Sequence, residues 1–173
     1  TKEKLKTLGI EEHKIAVTGI PTDEKFSSVY DIEALKTNLG LTKDMFTVLI
    51  ATGAFGIGPI EEIIQGLQGF QTIVVCGHNQ ALFKRLTQRQ YPFVKVLGLV
   101  HNMHELMAVS DVMVTKPGGL SIAEALVRQL PLIFFNPIPG QEAGNVRVLR
   151  EHGLGVRPAR IQDIIRELET LKS

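Results

Sequence analysis

The chain has 173 residues, 44% of them hydrophobic, and a formal net charge of +1 at pH 7. That length and apolar share suit one compact domain over residues 1–173, and near-neutrality excludes the large basic footprint of a nucleic-acid-binding protein. The single cysteine, Cys76 in the apolar run TIVVC, excludes a disulfide framework, fits a reducing compartment and is expected to lie buried in a strand.

No segment approaches the roughly 20 apolar residues of a membrane-spanning helix, and the N-terminus is too polar for a secretory signal. A first residue of Thr rather than Met reads as a piece of something longer. Along the chain, short runs rich in Val and Ile alternate with longer amphipathic segments, the pattern of βαβ units in a parallel sheet with helices on both faces. Strands are expected at KIAVTG near Lys14, FTVLIA from Phe46, TIVVCG from Thr72, FVKVLG from Phe93, DVMVT from Asp111, PLIFF from Pro131 and, more weakly, GVRP near Gly155. Several are apolar at every position, as strands covered on both faces are.

Helices are expected over residues 31–38, 59–67, 79–88, 103–109, 120–128, 141–151 and 161–171. The second carries Pro59 and acids in its first turn, and the third opens on Asn79, a good cap, and ends basic. The stretch GIPTDEKFSS around Pro21 reads as an irregular connection. Every loop of chemical interest follows a strand and precedes a helix, so all belong to the carboxyl edge of the sheet, where open parallel sheets bind ligands.

TGAFGIG, residues 52–58, places Gly53, Gly56 and Gly58 before a helix and lets the main chain approach a phosphate. Its spacing is not the dinucleotide G-x-G-x-x-G, no ribose-binding acid follows about 20 residues on, and no G-K-[ST] follows for a triphosphate loop. TKPGGLSIAE, from Thr115, ends a strand at paired glycines that can take positive φ and turns into a helix whose free amides suit an anion. Glu124 then has two readings. It caps Ser121 in an S-x-x-E box, or it faces a ligand and accepts two ribose hydroxyls.

NPIPGQEAGN, residues 136–145, concentrates Gln141, Glu142 and Asn145, a donor and acceptor mixture suited to sugar hydroxyls, with Gln141 and Asn145 on one helical face. His101 and His104 lack the companions of a metal site, and His78 lies at the mouth of the expected crevice. No Ser-His-Asp or Cys-His relay is present, so a catalytic base is not identified in this chain.

Taken together, TGIP (Thr18–Pro21), TGAFGIGPIEE, VVCGHNQAL, VLGLVHNMHELMAVSDVMVTKPGGLSIAEAL and LPLIFFNPIPGQEAGNVRVLREHGLGV resemble the C-terminal half of monogalactosyldiacylglycerol synthases and diacylglycerol glucosyltransferases. More distantly they are similar to the N-acetylglucosaminyltransferase that makes lipid II, also of glycosyltransferase family 28. The resemblance runs from about Leu8 to Arg160. It implies one Rossmann-like half of a glycosyltransferase-B fold, binding a UDP-sugar without cofactor or metal, while an absent N-terminal half binds the lipid acceptor and supplies the base.

The same resemblance implies that Leu99 and Val100 contact uracil through the main chain and that Glu124 holds the ribose. Gly53, Ala54, Phe55 and Gly56, with Gly118, Gly119, Leu120 and Ser121, would surround the diphosphate, while Gln141, Glu142 and Asn145 would read the hexose. The family often has an arginine after TGIP, whereas this chain reads Thr22, Asp23, Glu24, so the positive charge would come from Lys116 or the absent half. The full-length enzyme would be cytoplasmic and peripheral at the inner membrane face. Two alternatives are a UDP-sugar epimerase of the same fold and a non-catalytic nucleotide-binding module.

Overall fold

A computed structural model describes residues 2–56, 58–135 and 141–173, with only the backbone of Gln141. Its centre is a sheet of β1 (Thr47–Ala51), β2 (Gln71–Val75), β3 (Val94–Leu97), β4 (Val112–Thr115) and β5 (Leu132–Phe134). The order is β3-β2-β1-β4-β5, and every pairing is parallel. The chain starts at the central strand, moves outward through β2 and β3, then returns to the other side of β1 for β4 and β5. The loops leaving β1 and β4 therefore part at one point of the carboxyl edge, the topological switch point of an open sheet.

Alternate residues of β1 serve opposite layers, as the period of two requires. Leu49 and Ala51 pack with Leu106 and Met107 of α5 (Met103–Ala108), Ile122 and Ala125 of α6 (Gly119–Val127), and Val146 and Leu149 of α7 (Gln141–Glu151). Val48 and Ile50 pack on the other face with α3 (Ile60–Gly66), α4 (Gln80–Arg89) and α8 (Ile161–Lys172). Cys76 lies in this second layer with no exposed surface, and burial pushes its thiol up to about 11, as an inert core cysteine requires.

The strand expected near Lys14 does not form. Glu12–Lys14 makes a 3-10 turn, residues 15–23 have no regular structure, and Val17 is 77% exposed. Its run holds only Ile15, Ala16 and Val17 as apolar residues, and no sheet strand pairs with them. GVRP contributes a single bridge, Val156 to Ile133. The short helix α1 (Lys2–Thr7) and the turn Glu24–Phe26 are additions to the expected elements, whereas α2 (Ile32–Asn38) is capped by Asp31 at the Ala34 amide as its sequence implies.

The irregular connection is nevertheless anchored. Phe26 is buried against the α5 and α6 layer, and Arg128 at the end of α6 donates to the Ser28 carbonyl at 2.7 Å with its guanidinium 5.6 Å from the Tyr30 ring centroid. At the opposite, amino edge, the Gln71 amide exchanges hydrogen bonds with Thr42 while the Asp111 carboxylate accepts from the Thr47 amide.

Candidate functional site

The carboxyl edge holds a cavity of about 210 Å³ beside β1 and β4. Ala51, Val75 and Met113 from strands and Met103 and Met107 from α5 form its apolar base; Gly53, Ala54 and Gly77 form one wall, Leu99 and Val100 a second, and Ser121 and Glu124 of α6 a third. Three of the chain's 4 methionines thus lie under one cavity, giving it a soft, adaptable base. These methionines and Gly77 were not among the expected site residues. The sequence marks them only as the ends of a strand and of an amphipathic helix.

Ser121 does not cap α6. The helix begins at Gly119 with Gly118 as its N-cap, and no side chain caps it, so of the two readings of Glu124 the S-x-x-E box does not form: Ser121 lies inside the first turn and Glu124 on the cavity wall. The amides of Gly119, Leu120 and Ser121 then have no intrahelical acceptor. Glu124 is half-buried, and loss of solvent holds its carboxyl above its ordinary 4.5 with no hydrogen bond or ion pair among the described residues to offset it. A carboxylate so placed is a strong acceptor awaiting donors.

The glycines divide differently from the expectation. Gly53 has φ +80° and open space beyond it, as close approach of a ligand needs, but Gly56 is buried and a Cβ there would fall 2.6 Å from the Cys76 carbonyl oxygen. Gly56 thus serves loop-to-loop packing, outside the cavity lining. Gly118 has φ −71° and Gly119 is helical, so neither uses the positive φ expected of it. What Gly119 supplies is room: a Cβ there would sit 3.1 Å from Ile20 Cδ1, which brings the TGIP segment beside the start of α6.

Asn79 binds two loops together. Its Oδ1 accepts from the Leu82 amide at 2.9 Å, capping α4, and its Nδ2 donates to the Phe55 and Gly56 carbonyls at 3.2 and 3.3 Å. Asn79→Ala should lower stability by about 1 to 2 kcal/mol, the range of a lost cap with an added tertiary bond, measurable by urea unfolding. Phe55 itself is 68% exposed, 6.4 Å from the His78 ring between centroids, and Leu120 is exposed as well. Lys116 is half-buried, outside the cavity lining, and has no ion pair among the described residues.

Asn145 donates to the Pro117 carbonyl at 2.9 Å, which ties α7 to the Lys-Pro-Gly-Gly turn. Glu142 is half-buried one turn earlier; the Gln141 side chain and residues 136–140 lie outside the described residues. His104 packs 6.0 Å from both Phe26 and Tyr30, His101 is exposed, and among the described residues no metal-binding cluster of His, Cys, Asp and Glu occurs. In the segment after TGIP, Asp23 accepts from the Lys25 amide at 2.9 Å and caps the Glu24–Phe26 turn.

This open parallel sheet is one half of the glycosyltransferase-B architecture. The structure superposes with a TM-score of 0.66 and 21% identity on Anabaena Alr3699/HepE solved in complex with UDP-glucose, covering 98% of this chain and 50% of that one. MurG of Acinetobacter baumannii gives a TM-score of 0.65 at 16% identity over 89% of this chain and 49% of that one. Residues 59–155 match the glycosyltransferase family 28 C-terminal domain, and the chain belongs to that family. A processive diacylglycerol beta-glucosyltransferase of Staphylococcus saprophyticus is 40% identical over 161 residues, covering 89% of this chain but 41% of the relative. The chain thus spans less than half of that relative's length.

Proposed function

We propose that the chain is the donor-binding half of an inverting enzyme that transfers a hexose, glucose in preference to galactose, from its UDP-sugar to a lipid acceptor such as diacylglycerol. The observation that carries this reading is Glu124: a carboxylate with no described partner, on the wall of a cavity at the switch point, one turn beyond free helix amides. Such a group suits the paired hydroxyls of a ribose while the amides suit the diphosphate. The choice of glucose and diacylglycerol rests on the relative's name.

The cavity's 210 Å³ falls below the roughly 300 Å³ at which small-molecule sites begin, so it would hold the nucleoside part of the donor. The diphosphate and hexose would extend over the loops toward the acceptor half. There the acceptor hydroxyl attacks the anomeric carbon, the bond from that carbon to the diphosphate oxygen breaks, UDP leaves with the electron pair, and the hydroxyl proton passes to a base on the other half. The α6 amides, Gly53 and Lys116 would stabilise the charge growing on UDP, with no cofactor or metal in the scheme.

In this reading the full-length protein works at the cytoplasmic face of a membrane as a peripheral enzyme. Among the described residues no helix is long and apolar enough to cross a bilayer. Calorimetric titration with UDP, UDP-glucose, UDP-galactose and NAD tests the donor site. Saturable uridine-nucleotide binding is expected, tighter for UDP-glucose than for UDP-galactose, with none for NAD. Uridine nucleotides that bind neither this chain nor its full-length parent would overturn the reading; sugar isomerisation by the parent would put the epimerase in its place.

A further inference from the structure

Asn145 stands in the second turn of α7, an interior position where asparagine is a weak helix former. The buried Val146 and Leu149 hold α7 to the α5 and α6 layer, so the asparagine is carried on a fixed element. Its Nδ2 donates to the Pro117 carbonyl at 2.9 Å. A carbonyl only accepts, which settles the amide's orientation: the nitrogen faces the turn. The peptide between Pro117 and Gly118 is thereby held at both ends, its carbonyl by Asn145 and its N–H by the Lys116 carbonyl at 2.8 Å.

On one side of that peptide the Thr115 hydroxyl donates to the Ala51 carbonyl at 2.6 Å and ties the turn to the end of β1. On the other, the Gly118 carbonyl accepts from the Ile122 amide at 3.0 Å and starts α6. Packing adds little between these points, since a Cβ at Gly118 would meet nothing within 4 Å. Glycine has the most backbone freedom to lose, so polar anchors set the direction in which the Gly119, Leu120 and Ser121 amides point. From this geometry we infer that Asn145 is a positioning residue: it fixes the Lys-Pro-Gly-Gly turn so that the first amides of α6 converge on the donor's diphosphate. Donors already in place bind an anion without first being ordered, so loss of the anchor weakens the hold on phosphate. The nucleoside is spared, because the buried Ile122 and Ala125 keep α6, and Glu124 with it, packed on the sheet. The identity of the anion rests on the donor-site reading; the anchoring of the turn does not.

The test is calorimetric titration of wild type, Asn145→Ala and Asn145→Leu, as this chain and as its full-length parent, with uridine, UDP, UDP-glucose and inorganic pyrophosphate. Both variants should bind UDP, UDP-glucose and pyrophosphate about 3- to 10-fold more weakly, the worth of one hydrogen bond, and should bind uridine as wild type does. Their unfolding midpoints should stay close to wild type, because a better helix former offsets the lost bond. A loss confined to UDP-glucose would make Asn145 a sugar contact and overturn the inference. Equal losses for uridine and UDP, or no loss for either, would overturn it too, as the marks of a residue that only supports the fold. Pyrophosphate binding that weakens in the variants of a protein with no affinity for uridine or UDP would sink the donor-site reading and leave the positioning role standing. Binding of neither pyrophosphate nor uridine nucleotides by the wild type would overturn both.

Discussion

Gly77→Ala should destabilise the domain by about 2 to 4 kcal/mol. Gly77 has φ +59°, a conformation that costs an L-residue about 1 to 2 kcal/mol, and its added Cβ would collide with the Ala54 carbonyl oxygen and lie 2.8 Å from the Ala54 carbonyl carbon. Both obstacles are backbone, so no side-chain rotation relieves them. The Ala54 carbonyl already accepts from the His78 amide at 2.7 Å, and Asn79 holds the next two carbonyls, so moving the loop breaks several bonds at once. Gly98→Ala, with open space and no positive φ, is the control and should stay within about 0.5 kcal/mol. Urea unfolding of the pair decides the matter: equal, small losses would mean that the two loops are not clamped as described.

That clamp explains why some of the site was legible in the sequence and some was not. The runs at β1, β2, β4 and β5 announce themselves because a strand buried on both faces has few polar positions to spare, while β3, half-buried at the sheet edge, still alternates around Lys95. The run at Ile15–Val17 is a shorter version of the same pattern with no strand beside it, and partnership in a sheet is not a local property. Glycine is ambiguous in the same way. A sequence shows that Gly53, Gly56 and Gly119 lack a Cβ, but the reason differs at each: approach from the cavity, a neighbouring carbonyl, and the Ile20 side chain. Asn145 reads as a sugar contact from its chemistry, its helical spacing and the family resemblance, whereas its bond to Pro117 depends on how α7 meets a turn 28 residues earlier in the chain.

Glu124 is where stability and the proposed function pull in opposite directions. Burial raises its carboxyl above 4.5, so the folded state favours the neutral form. The associated stabilisation is fully present below pH 4.5 and is lost as pH rises through the folded-state value. Glu124→Gln has no charge to desolvate. It should therefore be more stable than wild type near neutrality, with the difference fading as pH falls below 4.5 in unfolding measurements. Binding runs the other way. A ribose that donates two hydroxyls prefers the ionised carboxylate, so wild-type affinity for UDP should rise with pH across that same raised value, whereas the affinity of Glu124→Gln should stay flat. Glu124→Ala should weaken UDP binding by about 1 to 3 kcal/mol, roughly 5- to 150-fold, as loss of hydrogen bonds to a charged acceptor does. A capping residue would lose stability on substitution by Ala, keep it with Gln, and leave UDP affinity untouched in both. The two roles therefore separate in the paired measurements, and a Glu124→Ala variant that loses stability while binding UDP as tightly as wild type would remove Glu124 from the donor site.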